Sequence, residues 1–177
     1  MMQSITQTDT QSLTFIDCGY RNRVFQVRSS TGVVATLRRV GGIDFRTTVE
    51  TTDGSWTFAR ETQTGRTVTI RDMFTGTHLA QYQEGLISNG VLSFADGPTF
   101  SWQRRNILGT GWQWTDRQGT VLVQITSVLA WRSEATIRIE PSARTIPELA
   151  LLVPLSGYLL GFLYGGGFPL PRWLIPH

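Results

Sequence analysis

The chain has 177 residues, 40% of them hydrophobic and 16% charged, which suits one well-buried domain and excludes a disordered chain. A formal net charge of +3 comes from 16 basic residues, all of them arginine, against 13 acidic ones. The single cysteine, Cys18, excludes an internal disulfide, and two histidines beside it are too few for the usual His/Cys metal clusters.

The first eleven residues, MMQSITQTDTQ, show neither a basic nor an apolar leader region and are expected to form a flexible tail. Together with the lone cysteine this predicts a cytoplasmic protein. From Ser12 onward, glycine-bearing turn signals recur at short intervals: SSTG (29–32), TDG (52–54), FTG (74–76), SNG (88–90), ADGP (95–98) and DRQG (116–119) among them. Between them lie runs such as TVTIRD, FSWQRR, VLVQITS and ATIRIE, which alternate with period two and favour β-branched and aromatic residues.

The spacing predicts strands at 12–18, 23–29, 33–40, 43–51, 55–61, 66–72, 78–84, 90–96, 99–105, 111–116, 120–127 and 133–140. Connections this short make antiparallel hairpins, because a parallel crossover needs a dozen or more residues. A long open meander would leave exposed edges, and closure removes them. The predicted fold is therefore all-β with one helix: a closed antiparallel barrel of about twelve strands.

The helix is the segment ELALLVPLSGYLLGFLYGGG (148–167). Thr145 and Glu148 have the spacing of a capping box, Pro147 suits a first turn, and the glycines at 165–167 end the element, predicting a helix over 146–164. It is apolar on every face, so it needs apolar surroundings on all sides. As a bilayer span it is short: roughly 24 Å against a hydrocarbon core of about 30 Å. A twelve-stranded barrel is roughly 24 Å across, and its inward side chains leave a channel of about 12 Å, the thickness of one helix. An internal plug is the favoured reading, with a C-terminal membrane anchor as its rival. Residues 12–165 then form the barrel domain, and the Pro-rich 166–177 a second tail.

No catalytic constellation is visible. His78 opens a strand, His177 is the last residue, and Cys18 has no base beside it in sequence. Asp53, Asp72, Asp96 and Asp116 each sit where a carboxylate can cap its own turn. No glycine-rich loop between strand and helix offers a phosphate cradle. The reading is of a protein that is not an enzyme, with no metal and no cofactor. What remains is arginine: the pairs Arg38–Arg39 and Arg104–Arg105, with Arg21 and Arg23 on a neighbouring hairpin, are candidates for binding an anionic partner through the guanidinium fork. Six tryptophans alternate with polar residues and read as packing, which disfavours a nucleic-acid platform.

Twelve short strands followed by one hydrophobic helix resembles the Tubby C-terminal-like superfamily, which includes phospholipid scramblases and LURP-one-related proteins. The wording of VFQVRSSTGVVATLRR (24–39), DGSWTFARETQTGRTVTIRDMFTGTHLAQY (53–82), LSFADGPTFSW (92–102) and PELALLVPLSGYLL (147–160) is similar to small bacterial LURP-one-related members. The resemblance implies a barrel threaded by its C-terminal helix. It also implies a phospholipid partner at a membrane surface, as for Tubby domains. The lysine-bearing Tubby lipid motif has no counterpart in a chain without lysine. The expected function is a non-enzymatic barrel module that meets anionic lipid headgroups through surface arginines, in the cytoplasm or peripheral to a membrane. The alternatives are a tail-anchored or scramblase-like lipid protein and a nucleic-acid-binding protein.

Overall fold

The computed structural model describes residues 2, 4–6, 12–18, 24–40, 46–60, 62, 65–86, 89–105, 111–127 and 134–164. Twelve strands follow in order: β1 (Ser12–Asp17), β2 (Val24–Arg28), β3 (Val33–Arg39), β4 (Arg46–Thr51), β5 (Ser55–Arg60) and β6 (Thr67–Asp72). The second half is β7 (His78–Glu84), β8 (Gly90–Phe94), β9 (Thr99–Arg104), β10 (Gly111–Thr115), β11 (Val121–Ser127) and β12 (Glu134–Ile139). Each corresponds to one predicted segment.

Every strand pairs antiparallel with its sequence neighbours, and β1 pairs with β12 from Ser12↔Arg138 to Ile16↔Glu134, so the sheet closes on itself. Closure removes both edges, and the alternating pattern then sends one face of every strand inward. Leu13 and Phe15, Val49, Phe58, Val68 and Ile70, Trp102 and Trp114, and Ile137 all point into the lumen and are buried.

The lumen is filled by the C-terminal helix. A short 3-10 turn (Pro141–Thr145) carries the chain from β12 to α1 (Leu149–Tyr158), which continues as a wider π turn over Leu159–Tyr164. All ten residues of α1 are buried. Its contacts reach around the wall: Tyr158 packs edge-on against Phe58 of β5 at 5.3 Å, Gly157 lies against Phe15 of β1, and Gly161 against Phe25 of β2. On the opposite wall the indole N–H of Trp114 donates to the Ser156 hydroxyl at 2.9 Å, and that hydroxyl donates to the Leu152 carbonyl at 2.8 Å. Among the described residues no helix is long and apolar enough to cross a membrane.

Two expectations need correction. The helix begins at Leu149, three residues later than predicted, and the capping box does not form. Ile146 is extended (φ −93°, ψ 117°) because the ring of Pro147 disfavours helical geometry in the residue before it. Glu148 is the N-cap and makes no side-chain cap bond. Nor is the segment 1–11 wholly a tail: Ile5 is 1% exposed and belongs to the core, and its amide donates to Asp53 Oδ2 at 2.6 Å.

A closed meander has two ends. The hairpins β1–β2, β3–β4, β5–β6, β7–β8, β9–β10 and β11–β12 all turn at one end, here called the mouth. The remaining hairpins turn at the floor, where β12 ends and α1 begins. The helix therefore runs from floor to mouth.

Candidate functional site

The candidate arginines divide by this geometry. Arg38 and Arg39 end β3, while Arg104 ends β9 and Arg105 follows it. In the ring of twelve, β3 and β9 are six strands apart, on opposite walls. At a diameter of roughly 24 Å the two pairs cannot grip one small anion. They do share an end, because both lie beside hairpins of the mouth. Arg21 and Arg23 lie outside the described residues.

Alternation within a strand separates each pair. Arg38 is exposed, whereas Arg39 follows the inward parity of Leu37 and is half-buried above the helix. Arg60 on β5 follows Phe58 inward in the same way, and its Nη2 donates to Glu84 Oε2 at 3.1 Å. Beneath them sits Tyr158, whose hydroxyl is pushed up to about 12 by burial, with Arg60 and Arg39 pulling it part of the way back. Because the folded chain keeps this proton where the unfolded chain releases it, the associated stability is intact below pH 10 and is lost as pH rises towards 12. Two pKa units correspond to about 2–3 kcal/mol. Urea titrations at pH 9 and pH 11.5 will show Tyr158→Phe losing less stability on that step than the parent chain. An equal loss would mean that the phenol is not the group titrating.

Strand parity also brings in arginines that the sequence reading passed over. Arg46, Arg60 and Arg66 flank mouth hairpins, and an up-and-down topology alone would have placed them there. Among the described residues the mouth then carries seven arginines (Arg38, Arg39, Arg46, Arg60, Arg66, Arg104, Arg105) against three carboxylates, Asp17, Glu84 and Glu134. At the floor the balance reverses: Arg28, Arg71, Arg117, Arg138 and Arg144 face seven carboxylates, Glu50, Asp53, Asp72, Asp96, Asp116, Glu140 and Glu148.

The two sets differ in engagement as well as number. At the floor Arg28 holds the Gln26 side-chain carbonyl at 2.7 Å, Arg71 the Gly76 carbonyl at 3.1 Å and Arg117 the Thr99 hydroxyl at 3.3 Å. Arg138 pairs with Glu140 at 3.3 Å. At the mouth the guanidinium groups of Arg38, Arg46, Arg66, Arg104 and Arg105, all on exposed residues, make no hydrogen bond or ion pair with any described residue. Their forks are open to a partner.

The other polar candidates have structural roles. Asp72 Oδ1 accepts from the amides of Phe74 at 2.9 Å and Thr75 at 2.7 Å, and the Thr75 bonds hold this exposed carboxyl below its usual range. Asp116 Oδ1 accepts from the amides of Gln118 and Thr120 in the same manner. Asp53 departs from that pattern: its own turn is closed by the Thr51 hydroxyl, and its carboxylate binds Ser4 and Ile5. Trp56, Trp102, Trp112 and Trp114 are buried, the last three in one ring cluster, so none offers a stacking platform; Trp131 and Trp173 lie outside the described residues. No group of three or more His, Cys, Asp or Glu side chains that could hold a metal occurs among the described residues. A groove of about 360 Å³ between β7, β8 and β9 contains one carboxylate, Glu84, already paired with Arg60.

Comparisons with protein-family models, with curated proteins and with solved structures return no match. The class that can be stated is architectural: a twelve-stranded antiparallel barrel enclosing its own C-terminal helix.

Proposed function

We propose that this chain is a non-enzymatic barrel module of the Tubby-like, LURP-one-related kind, which binds anionic phospholipid headgroups through surface arginines. It works in the cytoplasm or peripherally at a membrane. The observation that carries this reading is the set of exposed mouth arginines whose forks have no partner among the described residues. A guanidinium fork matches a phosphate or carboxylate with two parallel hydrogen bonds, and an unpaired one gives up no internal contact in doing so. The helix-filled barrel is also the architecture that the family resemblance implies. Among the described residues all four tryptophans are buried, which weighs against nucleic acid, since base stacking needs exposed rings.

The experiment is flotation of the full chain with vesicles. Vesicles containing phosphatidylserine or a phosphoinositide will carry the protein upward, and neutral phosphatidylcholine vesicles will not. Raising salt from 0.05 to 0.5 M will release it, because screening shortens the reach of the charges to a few ångströms. Equal flotation with neutral vesicles, or none with any, rejects a headgroup ligand.

A further inference from the structure

We infer that the barrel docks end-on: its mouth, with Arg38, Arg46, Arg66, Arg104 and Arg105, is the surface laid against an anionic bilayer, with the barrel axis near the membrane normal. This rests on the lipid reading above and adds to it the face and the orientation.

The argument starts from the distance between the two pairs singled out in the sequence. Arginines on opposite walls, roughly 24 Å apart, cannot form one headgroup pocket, but they stand around the same end of the barrel. Charges spread around one rim suit an extended anionic surface better than a single small anion. Strands of five to seven residues, tilted in the barrel, give a height of roughly 15 Å. When the mouth touches a membrane, its arginines lie within one Debye length, about 8 Å, of the lipid phosphates, and the floor lies nearly two away. The floor carries the reverse charge excess, seven carboxylates against five arginines among the described residues. The described charges are thus polarised along the barrel axis, and an anionic surface attracts those of one end while repelling those of the other.

Nucleic acid would also be attracted by the charge, but no exposed aromatic side chain accompanies the arginines among the described mouth residues.

The test uses two full-length variants of equal net charge. One replaces Arg38, Arg46, Arg104 and Arg105 by Gln at the mouth; the other replaces Arg28, Arg71, Arg117 and Arg138 by Gln at the floor. All eight residues are exposed. Partitioning onto vesicles of phosphatidylcholine with 30% phosphatidylserine is measured for each. An arginine near such a surface contributes about fivefold, so the mouth variant will lose about 100-fold or more and the floor variant less than about threefold. Lysine at the same four mouth positions will restore partitioning, and failure to restore it would overturn the electrostatic basis. Equal losses in the two Gln variants would overturn the orientation while leaving the lipid reading intact. Absence of binding by the parent chain would overturn the lipid reading and the orientation with it. Binding to a DNA or RNA duplex that competes fully with the vesicles would overturn the choice of partner.

Discussion

A chain that stops at Arg144 will fail to fold as a monomeric barrel. Sedimentation will show aggregates, and a thermal or urea titration will lack a single cooperative transition. The reason is the volume that α1 fills. Leu149, Leu151, Leu152, Val153, Leu155 and Tyr158 are each at most 3% exposed, and all of them face the wall of the lumen. Shortening one such leucine to alanine costs about 2–5 kcal/mol, so removing six large side chains together exceeds the whole stability of a typical domain, about 5–15 kcal/mol. The wall cannot collapse to compensate, because twelve hydrogen-bonded strands fix the circumference. Trp114, fully buried, would also lose the Ser156 hydroxyl that accepts its indole proton, leaving an unpaired donor. A soluble, monomeric and cooperatively folding 1–144 fragment would show that the sheet is self-sufficient and the helix only lodged in it.

The ladder was legible in the sequence because it is written locally. Two of the turns use Gly76 and Gly119 at positive φ, and most strands show their inward face by alternation. Closure is written nowhere locally, since Ser12 and Arg138 meet across almost the whole chain. It followed only from the energetic cost of open edges. The start of the helix was misjudged because Pro147 has two effects, favouring a first helical turn and unfavouring helix in the residue before it. The second effect prevails at Ile146. Ile5 was overlooked since a single aliphatic residue in a polar stretch has no periodicity to reveal it; its anchor, Asp53, looked like an ordinary turn residue. The arginines show the sharpest division. Their chemistry is plain from composition, but adjacency in sequence says nothing about convergence in space. Arg38 and Arg104 are on opposite walls, and only counting hairpins reveals that they share a mouth.

The fit between helix and wall is narrow enough to be tested by a pair of substitutions. A Cβ at Gly157 would stand 2.6 Å from Cε2 of Phe15, a ring that is itself 2% exposed and stacked on Phe25 at 5.2 Å. Gly157→Val will therefore destabilise the protein by about 3 kcal/mol, at the upper end of the cost of overpacking, since neither the enclosed helix nor the ring can step aside. Phe15→Ala will cost about 3–5 kcal/mol through the cavity it opens. Combined, each change relieves the other: the valine methyls occupy space that the ring has vacated. The double variant will be more stable than the sum of the single effects by about 1–3 kcal/mol, measured by urea unfolding of all four proteins. Strict additivity would mean that residue 157 does not face β1, and with that the threading of the helix through the closed sheet could not stand. A coupling of the expected sign has no such alternative explanation, because residues 15 and 157 lie at opposite ends of the chain and meet only if the last element passes inside the first strand.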